Sequence, residues 1–131
     1  MNFEDMLKFL NFSLNDDKSS YTVKCRSNVA PISIEIPSTY LGKPVTSIGE
    51  RAFADCKSLT SIDIPDSVTS IGEWAFADCK SLTSINIPNR ITSIGERAFG
   101  LCESLTSIVI PNSVTSIGEG AFAGCESLKS I

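Results

Sequence analysis

The chain contains no histidine and no Cys-x-x-Cys pair, and only one of its 131 residues is tryptophan. Without histidine, neither a Ser-His-Asp nor a Cys-His catalytic group can be built. Zinc sites want cysteine and histidine clustered at short local spacings, which this sequence does not offer. No glycine-rich phosphate loop is present, and no apolar run reaches the ~18 residues that a spanning helix needs. Neither sign of charge dominates: 11 basic and 15 acidic residues leave a net charge of −4. Nucleic acid normally requires a basic stripe, so it is not an expected partner, and insertion into a membrane is not expected either. The opening MNFEDMLKFLNFSLND carries Glu4 and Asp5 and no basic stretch, so it does not read as a secretory signal. An intracellular chain and one whose leader has been removed both fit. No cofactor or metal is expected, and the chain does not read as an enzyme.

What the sequence does have is repetition. Cys56, Cys79, Cys102 and Cys125 recur every 23 residues. The segments around them recur as well: VTSIGERAFADCKSLTSIDIPDS from Val45, VTSIGEWAFADCKSLTSINIPNR from Val68, ITSIGERAFGLCESLTSIVIPNS from Ile91 and VTSIGEGAFAGCESLKSI from Val114. A fixed period of this length marks a stacked repeat protein, each unit resting on its neighbours.

The unit from Val68 to Arg90 shows how one coil is built. Val68 and Ile71 begin an extended piece that Gly72 ends. Glu73 to Cys79 has helix-like spacing, with Ala75, Phe76 and Cys79 on one narrow apolar face. Leu82 to Ile87 alternates as a strand, Ile85 and Ile87 inward, Ser84 and Asn86 outward. Pro88 stops it, and Asn89 and Arg90 turn the chain back. Burying each large apolar side chain contributes ~1.5–3 kcal/mol, while ordering the backbone costs ~1–2 kcal/mol per residue. A lone unit therefore cannot fold, and stacking must cover both of its flat sides. Equivalent side chains then form columns: Phe53, Phe76, Phe99 and Phe122, and Ile62, Ile85, Ile108 and Ile131. The four periodic cysteines read as a buried core column, although stacked strands ~4.8 Å apart would also permit an occasional vertical disulfide. Cys25, outside the period, reads first as a half-buried strand residue and is otherwise the better candidate for a reactive thiol.

The pattern Leu-x-x-Ile-x-Ile-Pro followed by Val-Thr-Ser-Ile-Gly-Glu-x-Ala-Phe-x-x-Cys closely resembles the BspA-like, treponemal-type leucine-rich repeat family. The resemblance covers residues 45–131 and reaches more weakly upstream, where Ile34-Glu35-Ile36-Pro37 matches Ile62-Asp63-Ile64-Pro65. It implies an α/β repeat solenoid, a leucine-rich-repeat-like right-handed coil. Short strands such as Leu82 to Ile87 would line the concave side, and short helical or 3-10 turns would form the corners. It also implies a protein-binding role without catalysis, often in adhesion at a cell surface, so a surface or secreted location stands beside the intracellular one.

The expected organisation is an N-terminal cap at 1–31, a degenerate first repeat with an inserted loop at 32–44, and four repeats at 45–131, the last incomplete. Phe3, Leu7 and Leu10 predict a short helix over 2–11. Phe12 to Leu14 and Tyr21 to Cys25 predict a hairpin. The apolar end of the last coil predicts self-association through 114–131.

Recognition must be carried by outward columns that vary while the frame repeats. One is Glu35, Asp63, Asn86 and Val109 on the strand face, beside a uniform serine column ending at Ser130. A second is Arg51, Trp74, Arg97 and Gly120 by the corner, and a third is Lys57, Lys80, Glu103 and Glu126. The candidate partner-binding residues are therefore Arg51, Trp74, Arg97, Asp63, Asn86 and Val109, since Trp and Arg are enriched among interface anchors. Glu50, Glu73, Glu96 and Glu119 favour the start of a helical turn; a cation-binding edge is the alternative. Two other functions stay open: a spacer within a longer array, and a carbohydrate binder with Trp74 as a stacking platform.

Overall fold

The computed structural model describes residues 3–26 and 31–129. The expectations for Ser130 and Ile131 lie outside the described residues. The chain begins with α1 (Phe3–Leu7), a single short helix. It ends earlier than the sequence spacing predicts, because Leu10 already belongs to β1 (Leu10–Leu14). Met6 and Leu10 are buried whereas Leu7 is only half-buried, so Met6 rather than the expected Leu7 faces the core from the helix. β2 (Tyr21–Cys25) pairs antiparallel with β1, which forms the predicted hairpin.

Two sheets run up the stack. The first holds β5 (Lys43–Ile48), β7 (Ser70–Ile71), β8 (Ser93–Ile94) and β9 (Ser116–Ile117), in parallel, with serine opposite serine and isoleucine opposite isoleucine. β2 adds to it in parallel beside β5, Val23 opposite Ile48, so the hairpin continues the solenoid as a preceding coil would. The second sheet pairs β3 (Ser33–Glu35) with β6 (Ser61–Asp63), and a single bridge, Ser84 to Ser107, continues that line upward. The expected insertion before Val45 is a small hairpin. β4 (Thr39–Tyr40) pairs antiparallel with β5 around Leu41 and Gly42, both left-handed. Tyr40 stacks on Phe12 at 4.0 Å and meets Tyr21 edge-on at 5.2 Å, which ties this hairpin to the cap.

The corners are runs of i→i+3 turns with an alternating backbone. The N–H groups of Ala52, Ala54 and Cys56 bond back within their own coil, to Gly49, Arg51 and Phe53. Those of Arg51, Phe53 and Asp55 bond upward to Glu73, Ala75 and Ala77 of the next coil, at 2.9, 2.7 and 2.9 Å. Left-handed conformations at Arg51 and Asp55 accompany this alternation, and Trp74 and Asp78, and Arg97 and Leu101, repeat it. Each corner is therefore a hydrogen-bonded ladder, although it is not a strand.

Inside the corners the phenylalanines pile up. Phe53, Phe76, Phe99 and Phe122 stand 5.3–5.4 Å apart, with rings parallel within 2–6°. Cys56, Cys79 and Cys102 of the cysteine column are buried as expected. Their column also helps to join the coils, since Cys79 donates to the Phe53 carbonyl at 3.1 Å and Cys102 to that of Phe76 at 3.1 Å. Burial pushes the Cys79 thiol up to about 12, which suits a donor that stays protonated. The recurrent glycines, which in the sequence end each extended piece as Gly72 does, are needed for close approach. A Cβ on Gly95 would sit 2.6 Å from the Glu73 nitrogen of the coil below. Only a residue without a side chain lets the sheet leave for the corner there.

The last described coil is half open. Ile117 is 48 % exposed where Ile71 and Ile94 are 1 %, and Phe122, Cys125 and Leu128 are only partly buried. Phe76→Ala should therefore cost ~3–5 kcal/mol in urea unfolding, and Phe122→Ala distinctly less. Equal losses at the two positions would contradict the gradient of burial.

Candidate interaction surface

The corner column presents its side chains from left-handed backbone. Arg51, Trp74 and Arg97 have φ of 57°, 59° and 52°, and Gly120 takes the same place in the fourth coil at 65°. The indole of Trp74 lies between two guanidinium groups, with the Arg51 carbon 5.0 Å and the Arg97 carbon 5.4 Å from its centre. An exposed cation on an aromatic face contributes ~0.5–1 kcal/mol, so the three side chains hold one another flat along the stack. The result is a ridge, cationic at both ends and aromatic in the middle.

Next to it runs a column of different character. Lys57 reaches Asp55 at 3.9 Å and Asp78 at 3.4 Å, and Lys80 reaches Asp78 at 2.7 Å and Glu103 at 3.0 Å. Five charges thus alternate in sign across three coils. Lys80, hydrogen-bonded to Asp78, holds that carboxyl below the usual carboxylate range. The contacts to Asp78 and Glu103 raise the Lys80 ammonium in turn. The network satisfies itself, which leaves Lys57, Lys80 and Glu103 little free charge to offer a partner.

Asp63, Asn86 and Val109 stand twelve residues further along their coils than Arg51, Trp74 and Arg97. They are exposed, and β6 places Asp63 on the second sheet. The six candidates therefore make two surfaces rather than one. Val109, 78 % exposed, lines a shallow open groove of about 470 Å³ with Asn89, Ile110, Pro111, Asn112 and Ser113. Glu50, Glu73, Glu96 and Glu119 do not gather into a metal-holding group among the described residues.

One surface residue escaped the sequence reading. Leu101, left-handed at φ 60° and 48 % exposed, stands where the two coils below carry Asp55 and Asp78. The signal was present in the column Asp55, Asp78, Leu101, Gly124, where an apolar residue replaces two acids.

Residues 20–131 match the BspA-type leucine-rich repeat region in six copies. The chain belongs to this family. Its match begins within the N-terminal hairpin, in keeping with β2 stacking as a coil. No curated protein sequence matches the chain. Among solved structures, the repeat protein is similar to a leucine-rich repeat protein from Bacteroides capillosus, 30% identical with a TM-score of 0.81, 94% of each chain being covered. It is also similar to the leucine-rich repeat protein of T. pallidum, at 30% identity and a TM-score of 0.75 over 92% of this chain and 67% of that one. A leucine-rich cell surface protein from Faecalibacterium prausnitzii is 29% identical with a TM-score of 0.66, and the alignment covers 93% of this chain and 37% of that one. Family and fold identify a leucine-rich repeat solenoid, a fold that generally mediates protein–protein interaction and adhesion.

The charge network makes stability depend on pH. The lowered Asp78 carboxyl contributes stability above its unfolded pKa, and that contribution is lost as pH falls through the folded value. Asp78→Asn should therefore destabilise at pH 7, and the loss relative to the parent chain should shrink as pH falls below 3.8, the ordinary carboxyl value. Urea unfolding at neutral and at acid pH checks this.

Proposed function

We propose that the chain is an adhesive protein-recognition module that engages its partner through the ridge Arg51–Trp74–Arg97. The observation that carries this reading is the backbone beneath the ridge. Each of these residues sits in left-handed conformation, which costs a residue with a side chain ~1–2 kcal/mol, and Gly120 fills the equivalent place in the fourth coil. Three large side chains are kept where glycine would be cheaper. They are also of the two types most enriched among the energetic anchors of interfaces.

A partner surface bearing carboxylates around an apolar spot fits two guanidiniums flanking an indole. The strand face with Asp63, Asn86 and Val109 is a second, more polar surface, and the groove at Val109 supports its use as an accessory contact. A location at the cell surface is part of the proposal, supported by the likeness to a leucine-rich cell surface protein. The half-open apolar end at Ile117, Phe122 and Leu128 supports self-association as a further property.

Trp74→Ala tests the reading. The immobilised parent chain should capture a protein from the surface fraction of the cells it meets, and Trp74→Ala should lose that capture by tenfold or more. Capture undiminished by the substitution would favour a spacer without a private ligand, and retention of a glycan on an array would favour carbohydrate recognition. Sedimentation velocity should show a coefficient rising with concentration. A strict monomer at high concentration would remove self-association through 114–131.

A further inference from the structure

The junction between the cap and the first coil departs from the rest of the stack at one point. At each higher rung the cysteine thiol donates to a phenylalanine carbonyl one coil below: Cys79 to Phe53, Cys102 to Phe76 and Cys125 to Phe99, at 3.0–3.1 Å. Below Cys56 the stack continues into β2 instead. Val23 faces Ile48 there, and the Gly49 N–H donates to the Val23 carbonyl, as Gly72 donates to Ile48 one coil higher. The chain then takes a shortcut. The Cys25 N–H donates to the Ala52 carbonyl at 2.8 Å, the bond that Phe53 makes to Ala75 in the next coil. Cys25 thus occupies the phenylalanine rung, two residues after Val23, whereas Phe53 comes five after Ile48. Cys56 stands over this rung as Cys79 stands over Phe53, so its thiol meets Cys25 where the higher cysteines meet a phenylalanine.

We propose that Cys25 and Cys56 are an oxidative cross-linking site that reacts with a low-molecular-weight disulfide and ties the cap covalently to the first coil. Cys25 is half-buried and Cys56 is 1 % exposed, so Cys25 reacts first. Its thiol gives a proton to solvent, and the thiolate attacks one sulfur of the small disulfide. A mixed disulfide forms at Cys25, and one small thiolate leaves and is protonated. Cys56 then loses its proton and attacks the Cys25 sulfur, and the second small thiolate leaves. Two protein thiols are oxidised to one disulfide, and one small disulfide is reduced to two small thiols. Burial of Cys56 persists once Cys25 has become a mixed disulfide, and it raises the Cys56 thiol and limits access, so the second step is the slower one.

The other cysteines are held out of this chemistry, the partly buried Cys125 by its bond to the Phe99 carbonyl at 3.0 Å and by burial that raises its thiol. Cys79 and Cys102 are fully buried, their thiols point at carbonyl oxygens, and burial raises both. The bridge would close a loop of about thirty residues and remove much of the cap's freedom in the unfolded chain.

The whole chain, incubated with excess oxidised glutathione, denatured and alkylated, should lose two of its five thiols. Non-reducing peptide mapping should join the Cys25 and Cys56 peptides, with a mass lower by two hydrogens. Tm should rise by on the order of 10 °C, reversibly with a reducing dithiol. Cys25→Ser should abolish both changes, and Cys125→Ser should keep them. Five thiols still free, glutathione retained at Cys25 as a mixed disulfide, or a link between two ladder cysteines would each overturn the proposal. A Cys25–Cys56 bridge that leaves Tm unchanged would overturn the tie between cap and coil. The map of the parent chain decides even if Cys25→Ser fails to fold.

Discussion

Everything in this solenoid depends on the alternation of corner N–H groups between two acceptors. One set closes turns within a coil, and the other set, at Arg51, Phe53 and Asp55 and their equivalents, reaches the coil above. The corner is too short to be a helix and too curved to be a strand, yet its polar groups must be paired once buried. Alternation solves this by giving each coil a hydrogen-bonded edge on its corner as well as on its sheet. It also fixes the vertical spacing, and the phenylalanine rings stack at that same spacing, 5.3–5.4 Å. Left-handed residues flank the upward-pointing phenylalanine amide in each corner, Arg51 and Asp55 around Phe53, while the phenylalanine itself keeps negative φ.

The same constraint sets the surface. A left-handed residue in the corner throws its side chain outward, away from the phenylalanine column. Arg51, Trp74 and Arg97 are a row of surface positions where the backbone is constrained in this way. Their spacing is that of the coils, so a flat indole between two guanidiniums is the natural packing. The neighbouring row spends its charge on Asp55, Lys57, Asp78, Lys80 and Glu103 internally, and such exposed pairs contribute little each.

Much of this was legible in the sequence, because a 23-residue period turns one unit's apolar pattern into columns. The phenylalanine and cysteine columns, the inward Ile85 and Ile87 and the N-terminal hairpin could be read from residue type and spacing. Three features could not. Glycine before the corner looks like a turn residue, whereas Gly95 is needed for the closeness of the coil below, a contact 22 residues away in the chain. The main ladder runs through Val-Thr-Ser-Ile rather than through the longer Leu-Thr-Ser-Ile-x-Ile segment, because which segment pairs depends on how coils sit on one another. The candidate residues came from variable columns, but Asp63, Asn86 and Val109 separate from the arginine–tryptophan ridge only once the coil is closed. The thiol pair at the cap depends on a shortcut in β2 that breaks the period, and periodicity is silent there.

Hydrogen exchange at single amides tests the alternation most directly. The N–H groups of Arg51, Trp74 and Arg97 belong to surface residues, yet they donate between coils. They should exchange as slowly as those of Phe53, Phe76 and Phe99, opening only with the stack itself. Exchange of the three ridge amides at the rate of an unstructured peptide, with the phenylalanine amides still protected, would contradict the account.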